Sequence, residues 1–71
     1  MAAGNLEGAL VALDVAIQTE KDGREFYQQA AAKTSDPGGR LLFASLADDE
    51  LEHLGMLERQ RDSLLRDGRL S

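Results

Sequence analysis

The sequence predicts an all-α fold, an antiparallel two-helix hairpin that pairs with a second copy of itself into a four-helix bundle. Three observations predict it. The single proline of the 71-residue chain stands in one glycine-rich break, TSDPGGR at residues 34–40, which divides the sequence into two nearly equal halves. Within each half the apolar residues recur in steps of three and four, the spacing of one helical face, and neither half shows the period-two alternation of a strand. Finally, two helices meet along a single seam and leave much of each apolar stripe in water, so a chain this short needs a partner hairpin to close its core.

The first helix is expected over about residues 6–34, with Leu6, Leu10, Leu13, Ile17 and Tyr27 on one face and Asn5 as its N-cap. The turn falls at 35–39. The second helix, over about 37–66, begins where Asp36 can cap and Pro37 can occupy the first helical position, where its missing N–H is no loss. Phe43, Leu46, Leu54, Leu57, Leu64 and Leu65 form its stripe, and Gly68 provides the C-terminal stop. Each arm is about 29 residues, roughly 43 Å at 1.5 Å per residue. Residues 1–71 thus make one half-domain. Val11, Val15 and Phe26 lie roughly opposite the main stripe of the first helix, which points to a further contact between dimers in a higher oligomer.

Composition excludes several classes of function. Thirteen acidic residues against eight basic ones give a net charge of −5 and a pI near 4.6, with no basic footprint for nucleic acid or anionic membranes. There is no cysteine, so disulfides and thiolate metal sites are ruled out, while oxygen and nitrogen ligands remain. No apolar run approaches the roughly 20 residues of a membrane span, and MAAGNLEGAL lacks the regions of a signal peptide. A cytoplasmic protein is the expectation.

Certain charged residues then fall where leucines belong. At about 100° per residue, Glu20 lies in the first stripe between Ile17 and Tyr27. Glu50 lies near the centre of the second stripe, between Phe43 and Leu57, with His53, the only histidine, on its flank. Arg24 and Arg61 also project near the stripes, where long stems let their head groups reach the edge. Glu20 and Glu50 stand at matching heights, each roughly 20 Å from the turn, so they face one another across the hairpin. Both are also near the midpoint of their helices. A two-fold axis there would gather two copies of Glu20, Glu50 and His53 into one cluster of four carboxylates and two imidazoles.

Such a set suits a pair of divalent metals. Residues i and i+3 share a helical face, so a Glu50 carboxylate can bridge two ions while His53 binds one. Four carboxylates also balance the charge of two Fe²⁺ ions, which permits burial without uncompensated charge. Tyr27, two turns after Glu20, is placed to orient a ligating carboxylate through its hydroxyl, or else to be an ordinary core tyrosine. Asp48, Asp49, Glu52 and Glu58 read as a solvated face.

TEKDGREFYQQAA, followed after the turn by DPGGRLLFASLADDELEHL, resembles the first hairpin of rubrerythrin-like members of the ferritin-like di-iron superfamily, from about Leu13 to Leu57. The resemblance implies that the first-helix iron ligand is Glu20, that its carboxylate partner is Tyr27, and that the Glu-x-x-His ligands are Glu50 and His53. It also implies a ferritin-like bundle with iron, oxygen and peroxide chemistry. The second hairpin of full-length relatives is missing, as is the cysteine-ligated iron domain of rubrerythrins proper. Short two-helix relatives that dimerise to complete the site, including ferritins packaged inside protein compartments, are the nearer comparison, although no packaging tail is legible after Gly68. A fragment of a longer protein would read the same way.

The leading expectation is a homodimer binding two irons at its interface and oxidising Fe²⁺ with O₂ or peroxide, a ferroxidase-type or peroxidase-type activity. Two other readings stand beside it. One is a noncatalytic helical adaptor whose inward charges only fix register; the other is passive binding of a divalent ion such as zinc or manganese.

Overall fold

The computed structural model describes residues 3–70, with side chains from Asn5 onward. Two helices fold back on one another: α1 spans Ala3–Lys33 and α2 spans Pro37–Asp67. The hairpin is a rod of 52 × 17 × 12 Å. Residues 1, 2 and 71 of the half-domain expected over 1–71 lie outside the described residues.

The connection is tighter than the sequence suggests. It is Thr34-Ser35-Asp36, with Gly38 and Gly39 already helical. Asp36 has extended backbone (φ −79°, ψ 121°), and its carboxylate accepts the Gly39 N–H at 2.7 Å, satisfying one of the donors a helix start leaves unpaired. Thr34 secures the other side. Its hydroxyl accepts the Asp36 N–H at 3.3 Å, and its carbonyl accepts Arg40 Nε at 2.8 Å. At the far end Gly68 takes the left-handed conformation (φ 71°) and donates its N–H to the Leu64 carbonyl at 2.9 Å, closing α2 as expected.

Asn5 does not cap α1, because the helix already runs through it from Ala3. No proline interrupts this stretch, and the helix runs through Gly4 upstream of the asparagine. The apolar stripes face one another as the spacing requires, with one exception. Leu65 is 57% exposed, whereas its neighbour Leu64 is 5% exposed, since the 100° step from Leu64 carries Leu65 out of the seam.

The interior is thin. Ala47, Leu54 and Leu64 are the buried apolar residues, together with Ser63, whose hydroxyl donates to the Arg69 carbonyl at 2.7 Å and ties down the chain beyond Gly68. Val11, Val15 and Phe26 are well exposed, as their position opposite the stripe predicts, and so are Leu41, Leu42, Leu51 and Met56. The solvent-accessible surface is 5121 Å², against about 4,300 Å² for a compact monomer of this mass. The excess, roughly 800 Å², reflects the rod shape, which exposes more surface than a compact body of equal mass. Arg61 clips the helices together through Asp14 at 2.7 Å, but this pair is substantially exposed and contributes at most about 1 kcal/mol.

With so little core, the turn matters to stability. Replacing Asp36 with alanine should cost about 1 kcal/mol through loss of the N-cap. The check is the thermal midpoint by circular dichroism, which should fall while the helical signal at low temperature is retained.

Candidate metal centre

Glu50 occupies what would otherwise be a core position. Ala47 and Leu54, three residues before it and four after, are both buried, and the Glu50 side chain between them is only 18% exposed. Carboxylates are rarely sunk among apolar neighbours without a partner. On α1 the residue at the same height is Glu20, 27% exposed, as the counting of residues from the turn predicts. His53, one turn beyond Glu50, reaches back over both.

The three side chains converge. One ligand atom from each lies within 4.8 Å of the others. His53 Nδ1 is 3.6 Å from Glu50 Oε1 and 3.8 Å from Glu20 Oε2. These separations are too long for hydrogen bonds. Two donors each about 2.1 Å from a shared ion stand about 3.0–4.2 Å apart, a range that holds both distances from His53. Among the described residues no lysine or arginine pairs with either carboxylate; their ion-pair contacts are with His53. Two carboxylates and an imidazole, drawn together without a fixed positive charge, form a donor set that fits a divalent metal.

The set is enclosed on one side only. Glu20 and His53 border an open notch of about 350 Å³ whose other walls are Met56, Leu57, Arg59 and Gln60. His53 is 51% exposed on this side. Leu42, His53 and Met56, all exposed, fall on one face of α2, so the notch opens onto a stripe of α2 left uncovered by α1. The protein thus presents half of an enclosure.

The remaining charged and aromatic residues sort themselves around it. Tyr27 is half-buried and makes its contacts through its ring, lying near-parallel to Phe43 with centroids 6.5 Å apart and edge-on to Phe26 at 5.6 Å. No hydrogen bond joins its hydroxyl to a carboxylate among the described residues. Arg61 turns out to the edge and pairs with Asp14, whereas Arg24 Nε is enclosed without a hydrogen-bond partner. Asp48, Asp49, Glu52 and Glu58 are exposed. One residue at the centre escapes a search for ligands because it has no side chain. Gly23, one turn after Glu20, lies where a Cβ would stand 3.1 Å from Glu50 Oε2.

No helix among the described residues is long and apolar enough to cross a membrane. Comparison with curated proteins and with solved structures gave no match. The rubrerythrin family profile, however, matches residues 11–67, a stretch that holds Glu20, Tyr27, Glu50 and His53 together with all of α2 and α1 from Val11 onward. The chain belongs to the rubrerythrin family, and with that membership comes iron binding.

Proposed function

We propose that two copies of this chain pair along their open faces, that the joined Glu20, Glu50 and His53 sets hold two iron ions, and that the centre oxidises Fe²⁺ with O₂ or peroxide. The observation that carries this reading is the convergence of the three side chains at the edge of a notch that one hairpin encloses on one side only. A second copy supplies what is missing. It covers the apolar stripe around Leu42 and Met56, and it doubles the donor set to four carboxylates and two imidazoles.

Charge is the reason the pairing and the metal belong together. Bringing four carboxylates into one apolar seam is unfavourable unless cations sit among them, and two divalent ions balance the four charges. When bound, iron supplies the one-electron chemistry between Fe²⁺ and Fe³⁺. The chain's own residues set the conditions for it. Glu50, rooted between Ala47 and Leu54, is the most enclosed of the three and would hold the ions from within the seam. Glu20 offers the opposing carboxylate from α1. His53 presents Nδ1 toward both carboxylates, and that nitrogen must be free of its proton to act as a donor. The Tyr27 ring packs against Phe26 and Phe43, and its hydroxyl, two turns along from Glu20, would orient that carboxylate in the assembled centre. Electrons leave Fe²⁺ as substrate and are taken up by the oxidant. Zinc or manganese would fit the same donors without this turnover.

Sedimentation of the metal-free and iron-loaded protein, with iron counted per chain, tests the assembly. The expected result is a dimer carrying two irons. A dimer that takes up no metal would favour an adaptor. Glu50→Ala should leave helix content largely intact and abolish the paired uptake, and unchanged iron stoichiometry would remove Glu50 from the site.

Saturating Fe²⁺ under anaerobic conditions should raise the unfolding temperature, because an ion that binds only the folded dimer draws the equilibrium toward it. At 100 times Kd the stabilisation is about 2.7 kcal/mol. Addition of oxygen should then produce the absorption of ferric iron; bound but unoxidised iron would mean storage or transport without turnover. Tyr27→Phe should slow or alter that oxidation while leaving the metal bound, and an emptied site would make the tyrosine's role structural.

A further inference from the structure

Glycine is a poor choice for the middle of a long helix. It gives up more backbone freedom on folding than any other residue, and an alanine in its place ordinarily favours the helix. Both Gly8 and Gly23 lie well inside α1, yet their surroundings differ. A Cβ at Gly8 would meet nothing within 4 Å. A Cβ at Gly23 would meet Glu50 Oε2 at 3.1 Å and its carboxyl carbon at 3.6 Å, and no other side chain within 4 Å.

We infer that Gly23 is the positioning residue of the metal centre: its bare backbone forms the slot that seats one oxygen of Glu50, leaving the other turned toward His53. The inference rests on the metal reading above and assigns Gly23 a role within it. Glu50 Oε1 faces His53 Nδ1 at 3.6 Å, so the two oxygens of this carboxylate divide between the imidazole and the α1 backbone. Gly23 and Glu20 are one turn apart on the same face of α1. The slot therefore lies beside the opposing carboxylate, and any side chain placed in it must displace Glu50 from its position across from Glu20. A methyl group would push the carboxylate by a few tenths of an ångström or rotate it. Groups that orient a metal ligand from outside the ligand set typically change affinity 10–100-fold when altered. The small displacement here places Gly23→Ala near the lower end, about tenfold.

Two measurements on the full chain test this. In the first, Fe²⁺ is titrated anaerobically into wild-type protein, Gly8→Ala and Gly23→Ala. Gly8→Ala should bind as the wild type does, and Gly23→Ala should bind about tenfold more weakly. In the second, unfolding temperatures of the metal-free proteins are compared in a cycle with Glu50→Ala. Gly8→Ala should raise the midpoint by on the order of a few degrees, through helix propensity alone. Gly23→Ala should show this gain only where Glu50 has been truncated, because only then is the slot empty. A Gly23→Ala chain that folds in the Glu50→Ala background and not in the wild-type one would support the same contact. Equal Fe²⁺ affinity of Gly23→Ala and wild type, equal gains in both backgrounds, or failure to fold in both, would each overturn the assignment. If the wild-type protein takes up no Fe²⁺, the metal reading itself has failed. If it binds Fe²⁺ and Gly23→Ala matches it, only the role of Gly23 has failed.

Discussion

The arrangement depends on two carboxylates placed where an ordinary hairpin would have leucines. Glu50 stands between two of the few buried apolar residues, and Glu20 opposes it from the other helix. In a seam this thin each apolar contact counts, so two ionised groups at its middle weaken the cohesion of the pair unless something positive joins them. Among the described residues His53 alone of the cationic side chains makes an ion-pair contact with them, and its distances to both oxygens exceed hydrogen-bond length. A cation would resolve this conflict, since among the described residues no arginine or lysine forms an ion pair with either glutamate. Arg61 is committed to Asp14, and Arg24 makes no ion pair with either glutamate.

Cohesion is correspondingly uneven along the rod. The turn is fastened by the Asp36 cap and the Thr34 contacts, and the open end by Leu64, Ser63 and the reversal at Gly68. The middle, at the height of Glu20 and Glu50, has the acids instead of a clasp. If metal sits there, folding, pairing and metal binding become one linked equilibrium, because each favours the state in which the donors are already gathered. The exposed Leu42, Leu51 and Met56 would work in the same direction, since pairing would remove apolar area that a lone hairpin leaves in water.

Most of this was legible in the sequence because a helical hairpin is governed by periodicity and one punctuation mark. Pro37 and its glycines locate the turn, Asp36 is recognisable as a cap from its place before proline, and counting residues from that turn brings Glu20 opposite Glu50. Helix ends were less legible. Asn5 has the right chemistry for a cap, but an N-cap acts only where a helix begins, and α1 is already helical at Ala3 and Gly4. Leu64 and Leu65 could not be separated by pattern, since each lies within reach of the seam and packing chooses between them. The partition of the arginines likewise depended on where an aspartate lay on the facing helix.

Gly23 shows why a site can be partly invisible to a search by residue type. Ligands declare themselves by chemistry: a glutamate in an apolar stripe, or a histidine one turn further on, is conspicuous wherever it occurs. A residue that contributes by being absent does not, and the mid-helix glycine reads in sequence only as a small loss of helix propensity. Its meaning comes from what stands opposite, and that is known only once the helices are registered. Gly8 is chemically identical and faces open space. The comparison suggests a division of labour in which α2 supplies most of the donors and α1 supplies one donor and the room for another. It also explains how a bulky carboxylate fits between closely packed helices: the backbone of one helix has been left bare where the acid of the other must lie.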